Sequence, residues 1–214
     1  MPCRDIPKIS TFLWWIQAQV VILKKYLEGL KLHLIPKTTW LTTPKKKTVM
    51  SAFIKFPGIF FEMGCSVRKE EVLSIKIEVD TTPPPGAEME TTIIRRFVIV
   101  NVNHYNKSSL MAGKLHAILS RQYTKGRDLY DFVWYLSDPS WPSPNLVLLN
   151  AALVQTGWKG SVLTKENWRK VLAERMSGLD WKSVKNDLAP FLERQEDLSL
   201  VNYGNCMKLL LQDG

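Results

Sequence analysis

A chain of 214 residues with 45% hydrophobic side chains is long enough to bury a sizeable core as one large domain or two small ones, which excludes a disordered or fibrous protein. Its 29 Lys and Arg against 20 Asp and Glu leave a formal charge of +9, a bias toward polyanionic partners such as nucleic acid or nucleotide phosphates, with plain solubility as the bland alternative. Three cysteines, Cys3, Cys65 and Cys206, show neither CxxC nor metal-ligand spacing, so free thiols in a reducing cytosol are expected and zinc is not.

Residues 9–30 read as one amphipathic helix closed at Gly29. Its apolar patch, STFLWWIQAQVVIL, is interrupted by Gln17 and Gln19 and is too short to span a bilayer comfortably, and the positive n-region and cleavage site of a signal peptide are hard to place. Trp14 and Trp15 point about 100° apart on such a helix, so at least one is expected to face a partner surface. Residues 36–47, PKTTWLTTPKKK, are polar, basic and punctuated by proline, the mark of a loop or an edge connection. The run Lys45, Lys46, Lys47 reads first as solvated surface.

Residues 48–56 (TVMSAFIKF) predict a strand, and 57–64 a short helix or turn closed by Gly64. Residues 73–81, LSIKIEVDT, alternate most cleanly, with Ile75, Ile77 and Val79 facing one way and Lys76, Glu78 and Asp80 the other. Glu78 and Asp80 therefore project two carboxylates from one strand face. These are hard oxygen ligands of the kind Mg²⁺ prefers, although the solvent side of a half-buried strand gives the same pattern. The TPPPG at 82–86 cannot continue the strand. The β-branched run IIRRFVIVNV at 93–102 predicts a further strand pairing with either earlier one, and His104 is expected to be exposed in a polar loop at 103–107.

Residues 108–136, SSLMAGKLHAILSRQYTKGRDLYDFVWYL, set burial against charge. Leu110, Met111, Leu115, Ile118 and Leu119 recur at helical spacing behind Ser108 or Ser109 as N-cap, and Lys114 falls inside that stripe. In the next helical pattern Leu129, Phe132, Val133 and Leu136 are apolar, while Asp128 and Asp131 share a face. A lysine on one helix can thus meet a carboxylate pair on the next. Equally, the lysine can snorkel to water and the aspartates can serve a helix's first turn. His116 points to a different face from Lys114.

Beyond residue 136 the proline-rich SDPSWPSP at 137–144 reads as a linker, and helices are expected at 145–155, 164–176 with Thr164 as N-cap and Gly178 past its end, 183–192 broken near Pro190, and 205–212. Leu146, Leu149, Leu153, Trp158, Trp168, Val171, Leu172, Trp181, Val184 and Leu188 are the expected core there. Two domains, 1–136 and 137–214, follow from this change of character. No GxGxxG, Walker A, HExxH or GxSxG motif is present.

Taken together, KIEVDTTPPPGAE, SLMAGKLHAILSRQYTKGRDLYDFVWYL and WPSPNLVLLNAALVQTGW closely resemble the AbiEii/AbiGii toxin family of nucleotidyltransferases, along nearly the whole chain from about residue 9 onward. The resemblance implies an α+β fold, in which a mixed sheet with helices of the DNA polymerase β type is followed by a helical C-terminal portion. It also implies a cytoplasmic toxin of a bacterial abortive-infection toxin–antitoxin system, with no membrane partner and opposed by a cognate AbiEi-type antitoxin acting genetically. Such a toxin transfers NMP from an NTP to an RNA acceptor, tRNA in some cases, with Mg²⁺ as cofactor.

Residue by residue, the resemblance assigns Lys114 to the triphosphate and one of Asp128 and Asp131 to positioning the acceptor or acting as general base. It assigns Glu78 and Asp80 to an acidic strand beside the metal. Arg121 and Arg127 become phosphate contacts, bidentate by geometry where Lys114 is a point charge. Family members also carry a glycine-serine turn and a D-x-D strand that holds two Mg²⁺ ions. This sequence has only a loose imitation of them in Gly64, Cys65 and Ser66 followed by Glu78 and Asp80. The expectation is therefore a domain truncated at its N-terminus and impaired alone, with a non-catalytic nucleic-acid- or partner-binding remnant as the alternative.

Overall fold

The computed structural model describes residues 39–46, 49–95 and 99–211, and the expected helix at 9–30 lies outside them. The chain divides into two compact units, Met1–Thr82 and Pro83–Gly214, at the proline run that follows the third strand.

In the first unit β1 (Thr39–Lys46), β2 (Val49–Pro57) and β3 (Val72–Asp80) form an antiparallel sheet in that order. Strand β1 occupies most of the segment at 36–47, which was read as a loop or an edge connection. Its threonines and tryptophan suit a pleated surface, and Pro44 is tolerated because β1 is the outer strand among those described and its ladder shifts between Pro44 and Lys46. A one-turn helix, α1 (Ile59–Glu62), follows β2, and Gly64 leaves it at φ 71, a left-handed conformation that glycine adopts without strain. The register sets Ser51 opposite Glu78 and Val49 opposite Asp80.

The second unit opens with a hairpin, β4 (Met89–Arg95) and β5 (Ile99–Tyr105), paired antiparallel from Met89 with Tyr105 to Arg95 with Ile99. The run at 93–102 is thus parts of two strands that pair with each other. No glycine, proline or asparagine punctuates residues 95–99, so the sequence carried no sign of a reversal there. Every pairing among the described strands is antiparallel, in two separate sheets, where one mixed sheet was expected. His104 lies within β5, half-buried, its Nε2 2.8 Å from Thr92 Oγ1, and not in an exposed loop.

Six helices of the second unit follow: α2 (Lys107–Ser120), α3 (Gly126–Ser137), α4 (Leu146–Gln155), α5 (Trp168–Ser177), α6 (Trp181–Leu188) and α7 (Tyr203–Leu211). They close around one core. Met111, Leu115 and Ile118 of α2 meet Leu129 and Phe132 of α3, Leu149 and Leu153 of α4, Leu172 and Met176 of α5, Leu188 of α6 and Leu210 of α7. Burying Phe132 alone is worth about 1.5–3 kcal/mol. Leu110, counted in the apolar stripe, is exposed instead. Leu146, Trp158, Val171 and Trp181 pack partly buried against the core they were expected to join.

Several helix starts differ from the sequence reading because asparagine and aspartate, not serine or threonine, cap them. The Asn106 side chain accepts from Ser109 N at 2.9 Å at the head of α2, and Asp180 caps α6. Helix α5 begins at Trp168, since Asn167 Oδ1 accepts from Thr164 N at 2.7 Å and holds the preceding residues in a turn. Pro190 sits in a 3₁₀ turn that ends α6. The segment 137–144 runs inside the second unit, where Trp141 stacks on Tyr135 at a centroid separation of 4.0 Å. Cys206 is a free thiol that burial pushes up to about 12. Among the described residues no helix is long and apolar enough to cross a membrane.

Candidate active site

Helices α2 and α3 are joined by RQYTK at 121–125, and this connection is held from outside. Arg175 of α5 donates from Nε to the Ile118 carbonyl at 3.1 Å and from Nη2 to the Arg121 carbonyl at 2.7 Å, satisfying acceptors that the end of α2 leaves open. At the other end, Gly126 N donates to Asp187 Oδ2 of α6 at 2.9 Å, which caps α3 with a carboxylate where the helix dipole is positive. Glycine is required at 126 because α6 passes against it. An added Cβ would collide with the Val184 carbonyl oxygen and the Leu188 side chain.

So positioned, the two helices bring together the charges that the sequence singled out. Lys114 of α2 forms an ion pair with Asp131 of α3, and its Nζ lies 3.4 Å from Asp128 Oδ1. Arg121 takes the other oxygen of Asp128. Asp128 is buried, so its charge requires this double pairing. Asp131 keeps about a third of its side chain exposed (35%) and has one cation. Partial burial pulls the Lys114 ammonium down, but the hydrogen bonds and charges of Asp131 and Asp128 outweigh it and hold it above the ordinary lysine range.

These side chains line a cleft of about 490 Å³ together with Lys125, Arg127, Tyr130 and Phe191. Four cations against two carboxylates leave it with a net charge of +2. The Arg127 guanidinium lies 4.1 Å from the centre of the Phe191 ring, which fixes it without neutralising it. Lys125, Tyr130 and Phe191 had not been singled out. Lys125 lies in the basic stretch TKGR, a signal that could have marked it, but Phe191 comes from the distant turn after α6, and no local pattern announces it. His116 turns elsewhere, its Nε2 3.0 Å from Thr156 Oγ1, and burial followed by the nearby Arg121 charge lowers its pKa.

Glu78 and Asp80 occupy the exposed face of β3 in the first unit. Glu78 Oε1 is 2.5 Å from Lys76 Nζ, and Asp80 Oδ1 accepts from Thr82 N at 3.0 Å. Mg²⁺ asks for near-octahedral oxygen ligation, and a lysine ammonium competes for the same oxygens. Two carboxylates supply fewer oxygens than Mg²⁺ takes, so further donors would be needed beside them. Among the described residues, no group of three or more His, Cys, Asp or Glu is arranged to hold a metal.

A family model described as nucleotidyl transferase AbiEii toxin, type IV TA system, matches residues 21–199, a span that contains the lysine, both aspartates and every residue of the cleft. The chain belongs to the AbiEii family. No curated protein and no solved structure matches it. Membership in this AbiEii family makes the chain a nucleotidyltransferase-type toxin, with a nucleotide substrate and an antitoxin as the partner classes implied.

Proposed function

We propose that the cleft between α2 and α3 binds the triphosphate of an NTP and directs transfer of its NMP to an RNA acceptor such as tRNA, on a scaffold of the DNA polymerase β type. The observation that carries this reading is Lys114 shared between Asp128 and Asp131 at the edge of a cleft with a net charge of +2. Lys114, Arg121 and Arg127 attract and orient the phosphates. Asp128, buried and doubly paired, is a positioning residue that fixes the two cations. Asp131, more exposed and paired once, is the carboxylate free enough to serve as general base.

In the reaction an acceptor hydroxyl attacks the α-phosphorus, the bond to the departing pyrophosphate breaks, and the hydroxyl proton passes to Asp131. The sequence holds no D-x-D pair, so turnover by this chain alone is expected to be weak.

Incubation with α-phosphate-labelled NTPs and total tRNA in Mg²⁺ buffer tests this. The expected result is weak, acceptor-dependent labelling that falls about a hundredfold in Asp131→Asn and is lost in Lys114→Ala. Strong labelling by the unaltered chain would overturn the impairment, and labelling unchanged in Lys114→Ala would overturn the site. RNA binding without labelling would favour a non-catalytic binding role, which the charge of +9 also fits.

A further inference from the structure

The face of α3 turned away from the core continues past the cleft. At 100° per residue, Arg127, Tyr130, Asp131 and Trp134 fall within one arc of about 100°, opposite the buried Leu129, Phe132 and Val133. Trp134 stands out because 62% of it is exposed, in a unit whose core accommodates other large aromatics. Its indole is braced. It meets Trp141 edge-on at 5.6 Å, and Trp141 in turn stacks on Tyr135 and carries the Lys107 ammonium 4.9 Å from its ring centre. Trp134 is therefore held by Trp141 and Tyr135 while most of it stays exposed.

The charges along the same face suit a polyanion. Arg127 of this face and Lys125 of the cleft stand at one end, while Asp131 is paired with Lys114 and Asp138, which follows α3, lies 3.6 Å from Lys107. From Arg127 to Trp134 the helix rises about 10 Å, which a stacked strand covers in about three nucleotides.

We propose that this face is a track for single-stranded nucleic acid, with backbone phosphates against Lys125 and Arg127 and a base stacked on Trp134. Cations beside a rigid, exposed aromatic ring are the features that hold single strands without reading sequence. A duplex offers no free base face to the indole. The inference rests on the reading of the cleft as the nucleotide site and deepens it by naming where the acceptor strand lies.

Fluorescence anisotropy with a short fluorescein-labelled single-stranded RNA, and with its duplex, tests the track. Trp134→Ala and Trp134→Leu are expected to weaken single-strand binding about 5- to 100-fold, while Trp134→Phe retains most of it and duplex binding does not change. Arg127→Ala is expected to reduce the salt dependence by about one phosphate contact. Trp134→Leu keeps apolar packing against Trp141, and an unchanged thermal midpoint shows that it is folded. Single-strand binding equal to wild type in both Trp134→Ala and Trp134→Leu, or an equal loss for duplex, would overturn the track. NTP binding by the unaltered chain is measured in parallel. If it is absent while RNA binding depends on Trp134, the cleft reading fails and the track stands; NTP binding with RNA binding indifferent to Trp134 means the reverse.

Discussion

Two carboxylate pairs in this chain, Asp128 with Asp131 on α3 and Glu78 with Asp80 on β3, are each aligned on one face by the local backbone period, yet they end in opposite environments. On α3 a second helix brings Lys114 between the two aspartates, and Arg121 completes the pairing of a buried Asp128. On β3 Glu78 pairs with Lys76 of its own strand, with both side chains exposed. Period aligns side chains, and a neighbouring element decides whether the alignment becomes a site. The first pair is a built electrostatic device, while an exposed ion pair such as Lys76 with Glu78 contributes little to stability.

The largest expected effect comes from stripping the α3 pair of its cations. Lys114→Met with Arg121→Met leaves Asp128 buried and unpaired, and urea denaturation should show a loss of about 3–5 kcal/mol. If stability changes by less than about 1 kcal/mol, Asp128 is not the charged anchor described above. Removing the α3 cap by Asp187→Ala is expected to cost about 0.5–2 kcal/mol, with Asp187→Asn recovering most of it. An effect no larger than that of a surface substitution would show that α6 does not hold the head of α3.

The pH dependence sharpens the contrast further. The Lys114 pKa is raised on folding, so its contribution is complete below the ordinary lysine value and is lost as pH rises through the raised one. Denaturation curves of wild type and Lys114→Met should therefore keep a constant gap from neutral to mildly alkaline pH and converge above the lysine range. His116 is shifted the other way. Its stabilising contribution is present above the unfolded histidine value of about 6.5 and is lost as pH falls toward the lowered folded one, so His116→Gln should flatten the acid side of the stability profile. The smallest effect is expected at β3, where Glu78→Gln with Asp80→Asn should change stability by no more than about 0.5 kcal/mol. A larger loss would mean that this pair, too, is structurally engaged.

The lysine and the two aspartates stood out in the sequence because helical spacing put charge beside apolar stripes, although spacing alone left pairing and solvent exposure equally open. Spacing could not separate the roles of Asp128 and Asp131. Their difference depends on Arg121, seven residues before Asp128 and brought back by the connection that Arg175 holds. Phe191 was illegible for the same reason, being supplied by tertiary packing from the turn after α6. The hairpin at β4 and β5 was hidden by an unbroken β-branched run, and β1 by prolines and lysines that an edge strand tolerates. The compact α2–α7 core was more readily read, since leucines and tryptophans at helical period mark it throughout.

The central claim is that the α2–α3 cleft is a triphosphate site built on Lys114. Equilibrium dialysis of the four radiolabelled NTPs against wild type and Lys114→Met, both shown to be folded by their thermal midpoints, measures it directly. Losing a charge-assisted contact to phosphate is expected to weaken binding about ten- to a hundredfold. Equal NTP affinity in the two proteins would contradict the account.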